Sequence, residues 1–226
     1  MYLIVTLCHK KNAASSDCRD VEAGRHEVPK YSKKQKAALE AMMQDDVHRH
    51  ATEIITSEGL QGLTMDRLAK AVGVSRATLY NYFADRDAVV EFVEKRTFLP
   101  LLEAADRIAD GDQPPSEKLR AIAHEVFASV YANSAFVVAL SPEQHSDAYH
   151  ESKRARRNRG QDALKRVVRE GIDRGVFRDL PAGPTAGIFL GAITGMIDTM
   201  VFDGEFREPD EVVPTLMEVF LRGLSK

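Results

Sequence analysis

From about residue 45 onward, apolar positions recur at intervals of three and four, and nowhere does an alternation of period two persist. The pattern predicts an all-α chain without strands. Asp45 and Asp46 favour a helix start, Val47, Ala51, Ile54 and Ile55 follow at helical spacing, and Gly59 stops the run. Thr64 caps a short helix carrying Met65, Leu68, Ala69 and Val72 and ending at Gly73; Ser75 caps a second through Phe83. Asp85 opens a longer helix to about Phe98, and Pro100 suits the first turn of another, residues 101–109. After the breakers of 111–115, a helix over 116–133 carries an apolar stripe of Leu119, Ile122, Ala123, Val126, Phe127 and Val130. An apolar piece, 136–140, precedes Pro142. A long polar helix is predicted over 143–174, a second breaker cluster over 179–184, a helix apolar on nearly every side over 186–202, and a last amphipathic helix over 210–224.

Upstream, residues 1–30 mix Ser, Asp, Asn and Gly without periodicity and are expected to form a disordered extension. Residues 31–43 are rich in Lys, Ala and Met and read as a basic lead-in arm or helix. The apolar opening, residues 1–8, has no basic residue before it and no small residues at a cutting site, so an export leader is not expected. The longest apolar helix carries Asp198, so no membrane span is expected either. Cys8 and Cys18 lie outside any predicted core and lack repeated C-x-x-C spacing, which points to a reducing compartment and, with the foregoing, to the cytoplasm.

At 226 residues and 44% hydrophobic, the chain can build an ordinary core without a disulfide or metal staple. Its 31 basic and 34 acidic side chains give a formal charge of −3, which argues against coating nucleic acid through bulk electrostatics and leaves room for a local basic face. None of the seven histidines sits in a metal-ligand or triad-like motif; His48 and His50, two apart on a helix, point different ways. With no strand there is no Gly-rich phosphate loop following one. No catalytic residue, metal or cofactor is therefore expected.

The most informative stretch is 63–83, two short helices joined by Gly73-Val74-Ser75 in helix-turn-helix spacing. Ala69 is small where the helices must cross, Gly73 permits the positive φ of a tight turn, and Leu68, Val72, Val74, Leu79 and Phe83 supply a shared core. With Leu79 and Phe83 inward, Ala77 and Asn81 project outward, Thr78 and Tyr80 lie on the flanks, and Arg76 sits near the helix start. Asn pairs bidentately with adenine and Arg with guanine, whereas Ala77 offers a methyl contact or close approach. A bare helix-turn-helix also occurs in bundles with no DNA role. A packing-only motif, however, has no need of Arg76, Tyr80 and Asn81 on its outward face.

The residues Gly73-Val-Ser-Arg-Ala-Thr-Leu-Tyr-Asn-Tyr-Phe-Ala-Asp-Arg-Asp-Ala88 closely resemble the DNA-binding signature of the TetR family of transcriptional regulators, G-V-S-x-x-T-L-Y-x-H/Y-F-x-x-K-x-x-L. The resemblance extends upstream through Ala51, Gly59, Leu63-Thr64 and Leu68-Ala69 and covers about residues 45–90. It implies that Thr64 caps the second helix and contacts phosphate, and that Ser75, Arg76, Ala77, Thr78 and Asn81 approach bases or backbone. It further implies that Tyr80, Tyr82 and Arg86 hold phosphates. The chain departs from the pattern at Arg86, which keeps the charge of the usual Lys, at Ala88-Val89-Val90, and at Asp66, an acid that weakens binding if it points toward DNA.

Specific reading by one short helix requires a two-fold partner, so a homodimer on a double-stranded, pseudo-palindromic operator is expected. Gly187, Gly191 and Gly195 lie four apart on the apolar helix and permit close approach of another helix, inside the subunit or across a dimer. The resemblance favours dimerisation through the last two helices, with Phe202, Leu216 and Phe220 alongside those glycines. It also implies a cavity for a small-molecule effector, for which Leu102, Val126, Phe127, Val130, Tyr131, Phe136, His145, Tyr149 and Phe189 are candidate lining residues. Residues 141–145, Asp147, His150 and Asp198 are polar candidates for orienting it. The basic run Lys153, Arg154, Arg156, Arg157, Arg159, Lys165, Arg166 and Arg169 reads either as a solvated face or as an attractor of an acidic effector or of DNA. The expected organisation is a disordered extension, 1–30, a helix-turn-helix DNA-binding domain, 31–92, and a helical effector-binding and dimerisation domain, 93–226. Release of DNA by the effector, as a repressor does, is the function this implies.

Overall fold

The computed structural model describes residues 32–140 and 147–224, so the expected extension 1–30 and the expected helix start at 143 lie outside the described residues. Among those described there are nine helices and no strand: α1 Lys33–Gly62, α2 Met65–Val72, α3 Arg76–Tyr80, α4 Arg86–Ala109, α5 Pro115–Ala132, α6 Ser134–Ala139, α7 Asp147–Asp173, α8 Ala182–Asp203 and α9 Pro209–Leu224. Residues 32–38 carry only the opening of α1, and the packed body begins at Leu39.

Two apolar cores organise that body. The first gathers Val47, Ala51 and Ile55 of α1, Leu68 and Ala69 of α2, Leu79 of α3, Phe83, and Val89, Val90 and Val93 of α4. The second gathers Ala105 and Ala109 of α4, Leu119 to Phe127 of α5, Leu164 to Val168 of α7, Phe189 and Ile193 of α8, and Val213 to Met217 of α9. Helix α4 is the beam common to both.

In the N-terminal half three boundaries differ from the expected ones. The arm over 31–43 and the helix at 45 are one helix from Lys33, because strong helix formers run up to Asp45 with no breaker between them. Gly59 does break it, at φ 72°, and a last turn resumes at Leu60. Pro100 begins no new helix but lies inside α4. Its missing N–H and ring clash cost about 3 kcal/mol. Burying Val89, Val90 and Val93 on one side of it, at about 1.5–3 kcal/mol each, outweighs that cost. The third change is at α3, which ends at Tyr80 rather than Phe83; Phe83 then turns inward with its N–H on the Leu79 carbonyl at 3.0 Å.

Helix α8, starting earlier than expected at Ala182, is by length and composition long and apolar enough to cross a membrane. Its inner face is already committed, however: Ala186, Phe189 and Ile193 are buried in the second core. After α7, the chain closes over itself where Phe177 packs on Gly171; a Cβ there would meet the Phe177 ring at 2.0 Å. Only glycine fits.

Candidate nucleic-acid interface and ligand cavity

The reading unit is built from caps inward. The Thr64 hydroxyl accepts from the Arg67 N–H at 3.2 Å, the Ser75 hydroxyl from the Thr78 N–H at 3.0 Å, and the Asp85 carboxylate from the Ala88 N–H at 2.8 Å. Gly73, at φ 79°, returns its N–H to the end of α2 and swings α3 across it. Leu68 and Leu79 are fully buried at the crossing, with Val72 and Val74 packed against them. Leu79 is the side chain that α3 commits to the core.

The outward face is polar, as expected. Ala77 and Asn81 are exposed, Tyr80 and Tyr82 are 40% and 45% exposed, and Thr78 is half-buried with its hydroxyl 2.8 Å from that of Ser75. Arg76 is held on two sides. One terminal nitrogen donates to Asp66 at 3.0 Å, the other to the Tyr80 hydroxyl at 3.3 Å, and the guanidinium lies 5.4 Å from the Tyr80 ring centroid. Asp66 thus points at Arg76. Arg86 is half-buried at the start of α4, with Asp87 3.7 Å away. Behind this face Arg67 grips Glu58 with both terminal nitrogens, which holds the Glu58 carboxyl below its usual range. His48, on α1, contacts the Thr97 hydroxyl at 3.1 Å, and its burial, aided by Arg96, pushes its pKa down.

A cavity of about 280 Å³ opens among α4, α5, α7 and α8. Of the candidates, Leu102, Val126 and Val130 line it. Phe127, Phe136 and Phe189 instead fill the cores, at most 1% exposed, and Tyr131 stands 42% exposed without lining it. His145 and the side chain of Tyr149 lie outside the described residues. Phe98, Leu101, Ala105, Ile122, Leu164, Leu190 and Ile193 complete the apolar wall, and Lys153, Arg156 and Arg157 give it a positive end. A second cavity of about 290 Å³ shares Phe98, Val130 and Lys153 with the first and carries Glu94 and Asp198.

The basic run is not simply a solvated face. Arg156 pairs with Glu94, Arg159 with Asp106 at 2.9 Å, and Arg166 with Asp106 at 2.8 Å and Asp110 at 3.2 Å, so α7 is riveted to the acids of α4. Hydrogen bonds from Arg166, then from Arg159, hold Asp106 below the usual carboxylate range. Deeper, Lys118, 2% exposed, donates to the Ala109 carbonyl at 3.0 Å and to Glu170 at 2.6 Å, and that second bond pulls the Glu170 pKa down. No cluster of metal-ligating side chains occurs among the described residues.

The candidate pairing residues divide. Gly191 and Gly195 face open space, with Ile188 66% and Phe202 91% exposed on the same helix. Gly187 faces inward instead, since a Cβ there would meet Gln161 of α7 at 3.4 Å. Leu216 and Phe220 also face inward: Leu216 is 6% exposed, and the Phe220 ring lies 4.6 Å from that of Phe189. On α9 it is Val219, 71% exposed, that stands free of the core. The i, i+3, i+4 run of Val212, Val213, Leu216 and Met217 marks the buried stripe and leaves Val219 off it.

Comparison with known proteins agrees with this geometry. A stretch of 90 residues is 31% identical to the nucleoid occlusion factor SlmA of Vibrio campbellii, spanning 38% of this chain and 44% of that relative, less than half its length. The fold is that of the TetR-family transcriptional regulator PfmR from Thermus thermophilus, with 20% identity, 87% of this chain and 99% of that one covered, and a TM-score of 0.62. The transcriptional regulator FadR from Bacillus subtilis, solved in complex with stearoyl-CoA, matches at 20% identity over 80% of this chain and 98% of that one, with a TM-score of 0.69. Residues 49–93 match the description of bacterial regulatory proteins of the tetR family, and residues 112–224 that of the tetracyclin repressor-like C-terminal domain. The chain therefore belongs to the TetR family of transcriptional regulators.

Proposed function

We propose that this regulator is a repressor which binds a palindromic operator as a homodimer in the cytoplasm and releases it when a small-molecule effector fills the cavity among α4, α5, α7 and α8. The observation that carries the reading is the polar face of α3: Arg76, Tyr80 and Asn81 exposed over a fully apolar inner face. Thr64, Ser75, Thr78, Tyr82 and Arg86 flank that face as phosphate contacts, and Ala77 leaves room for a base edge. The open stripe of Ile188, Gly191, Gly195 and Phe202 on α8, with Val219 on α9, is the surface we assign to the second copy. The similarity to FadR, whose structure holds stearoyl-CoA, supports an effector in the C-terminal helices. We divide the chain functionally into a reading part, 31–92, and an effector and pairing part, 93–226, with the division inside α4, whose two ends belong to different cores. A coupling of about 1–3 kcal/mol along that helix changes operator affinity roughly 5- to 150-fold.

The test is fluorescence anisotropy against duplexes tiled from the upstream region of the protein's own gene and, for the rest of the genome, selection of bound fragments, at one salt concentration throughout. A site bound on the order of 1000-fold tighter than scrambled DNA is expected, with the preference lowered by Asn81→Ala. Equal, weak binding to every fragment would sink the reading.

A further inference from the structure

We propose that Glu94 is the chain's own occupant of an anion site: its carboxylate holds Arg156 at the end of the apolar cavity until an effector with an apolar body and an anionic head takes Arg156 from it. This rests on the reading of the cavity as the effector site.

The first observation is the state of Glu94. Its residue is 4% exposed, one oxygen accepts from the Arg156 guanidinium, and the other is buried and accepts no hydrogen bond from any described residue. A buried carboxylate satisfied on one oxygen alone is a costly arrangement in a low-dielectric interior. Such a group marks a place where a better arrangement exists in another state of the protein.

Position is the second. Arg156 lines the first cavity and Glu94 the second, and the two cavities share Phe98, Val130 and Lys153. The ion pair therefore sits where they meet, with the Arg156 guanidinium 5.8 Å from the Phe98 ring centroid. Parting it opens one cavity toward the other.

The third is charge. Lys153 and Arg157 line the same end of the first cavity as Arg156, and neither has an ion-pair partner among the described residues. An anion arriving there meets three cations; of the two carboxylates of the adjoining cavity, Asp198 and Glu94, it is Glu94 that holds Arg156 and whose place it takes. Apolar walls from four helices accept the rest of the molecule.

Displacement has a mechanical consequence. Without Arg156, Glu94 loses the one hydrogen bond its carboxylate accepts, so the stable outcome is movement of that carboxylate toward Lys153, which lines the same cavity, or toward water, and with it the segment of α4 that bears it. Arg86 lies eight residues earlier on α4, about 12 Å along the helix axis. The same helix thus carries the displaced anion and the phosphate-contacting arginine.

Titration calorimetry of the full-length protein with decanoate, decanol and decyltrimethylammonium tests this without DNA. Decanoate is expected to bind, about tenfold tighter in Glu94→Gln, which keeps the shape and removes the competing charge. Arg156→Gln should weaken decanoate at least tenfold, while decanol changes less than twofold in either variant. Should Glu94→Gln fail to fold, Glu94→Asp withdraws the carboxylate by one methylene and is expected to tighten decanoate in the same direction. No binding of decanoate, equal affinity in wild type and the Glu94 variants, or a preference for decyltrimethylammonium overturns the proposal. A chain that binds no operator yet shows this pattern refutes the repressor reading alone; one that binds operator while decanoate ignores Glu94 refutes the anion site alone.

Discussion

The two cores of this protein place their polar chemistry on opposite sides. Around α2 and α3 every buried side chain is apolar, and the groups assigned to DNA stand outside. Around the C-terminal helices the charges go in: Lys118 is buried on α5, and Glu94 is buried where α4 meets α7. The difference fits the partner proposed for each region. A polymer approached from outside is read by a rigid face presented to it, so the interior need only be a support. A small molecule that has to be enclosed meets its recognition groups inside, where each charge needs a counter-charge before the ligand comes. Helix α4 joins the two designs.

The sharpest way to break the contrast is to spoil the support. Leu79→Ala removes a fully buried side chain between α2, α3 and α4 and should destabilise the reading unit by about 2–5 kcal/mol. Chemical denaturation followed by hydrogen exchange should show protection lost first around residues 64–93, with the C-terminal helices still closed. Simultaneous loss in both would mean that α4 makes the two cores one cooperative unit.

Next in size is the pairing surface. Phe202, at 91% exposure, is the most solvent-facing of the large apolar side chains described, and an aromatic anchor of an interface costs about 2 kcal/mol or more when truncated. Phe202→Ala should raise the dimer dissociation constant about 30-fold in sedimentation and leave monomer stability unchanged. Leu216→Ala should do the reverse, since that side chain belongs to the core of its own subunit.

Acid separates the two regions by a smaller effect. Asp106 and Glu170 both have pKa values lowered in the folded state by cationic partners on α7 and α5. A depressed carboxylate contributes stability that is present above its unfolded pKa, about 4, and lost as pH falls through its folded value. Thermal stability should therefore decline below about pH 4.5, with the α4–α7 contact opening first in hydrogen exchange. Asp106→Asn should flatten that decline; an unchanged profile would show that these pairs carry no linkage.

How far each region could be read from the chain alone follows from the range of its interactions. The reading unit is local: Thr64, Ser75 and Asp85 cap the helices that begin just after them, and Gly73 needs only its own φ. Its residues fell where helical spacing put them. The cavity is not local. Phe98 and Ile193 share a wall, and the pairs Glu94–Arg156, Asp106–Arg159 and Asp106–Arg166 span 62, 53 and 60 residues. Periodicity marks Phe127 and Phe189 as inward-facing but does not distinguish a core contact from a cavity wall. The basic run of α7 likewise reads either as a solvated face or as an attractor of anions, because its acids sit on another helix. Pro100 reads as a helix start for the same reason: the burial that carries α4 through it is tertiary.

The smallest effect concerns Asp66, the acid beside Arg76. Asp66 and Arg76 are 67% and 59% exposed at their side chains, so solvent screens their pair, and Asp66→Asn should leave the unfolding midpoint unchanged. On DNA the same exchange matters differently. Removing a negative charge 3.0 Å from Arg76 frees that cation for phosphate and takes away a repulsion, so affinity should rise a few-fold for operator and scrambled duplex alike. The slope of log affinity against log salt should steepen by about 1.8, about 0.9 for the further phosphate neutralised by each subunit of the dimer. If instead the ratio of operator to scrambled affinity falls while the slope stays fixed, Asp66 is the brace that aims Arg76 at a base, and part of the sequence reading resides on α2 rather than on α3.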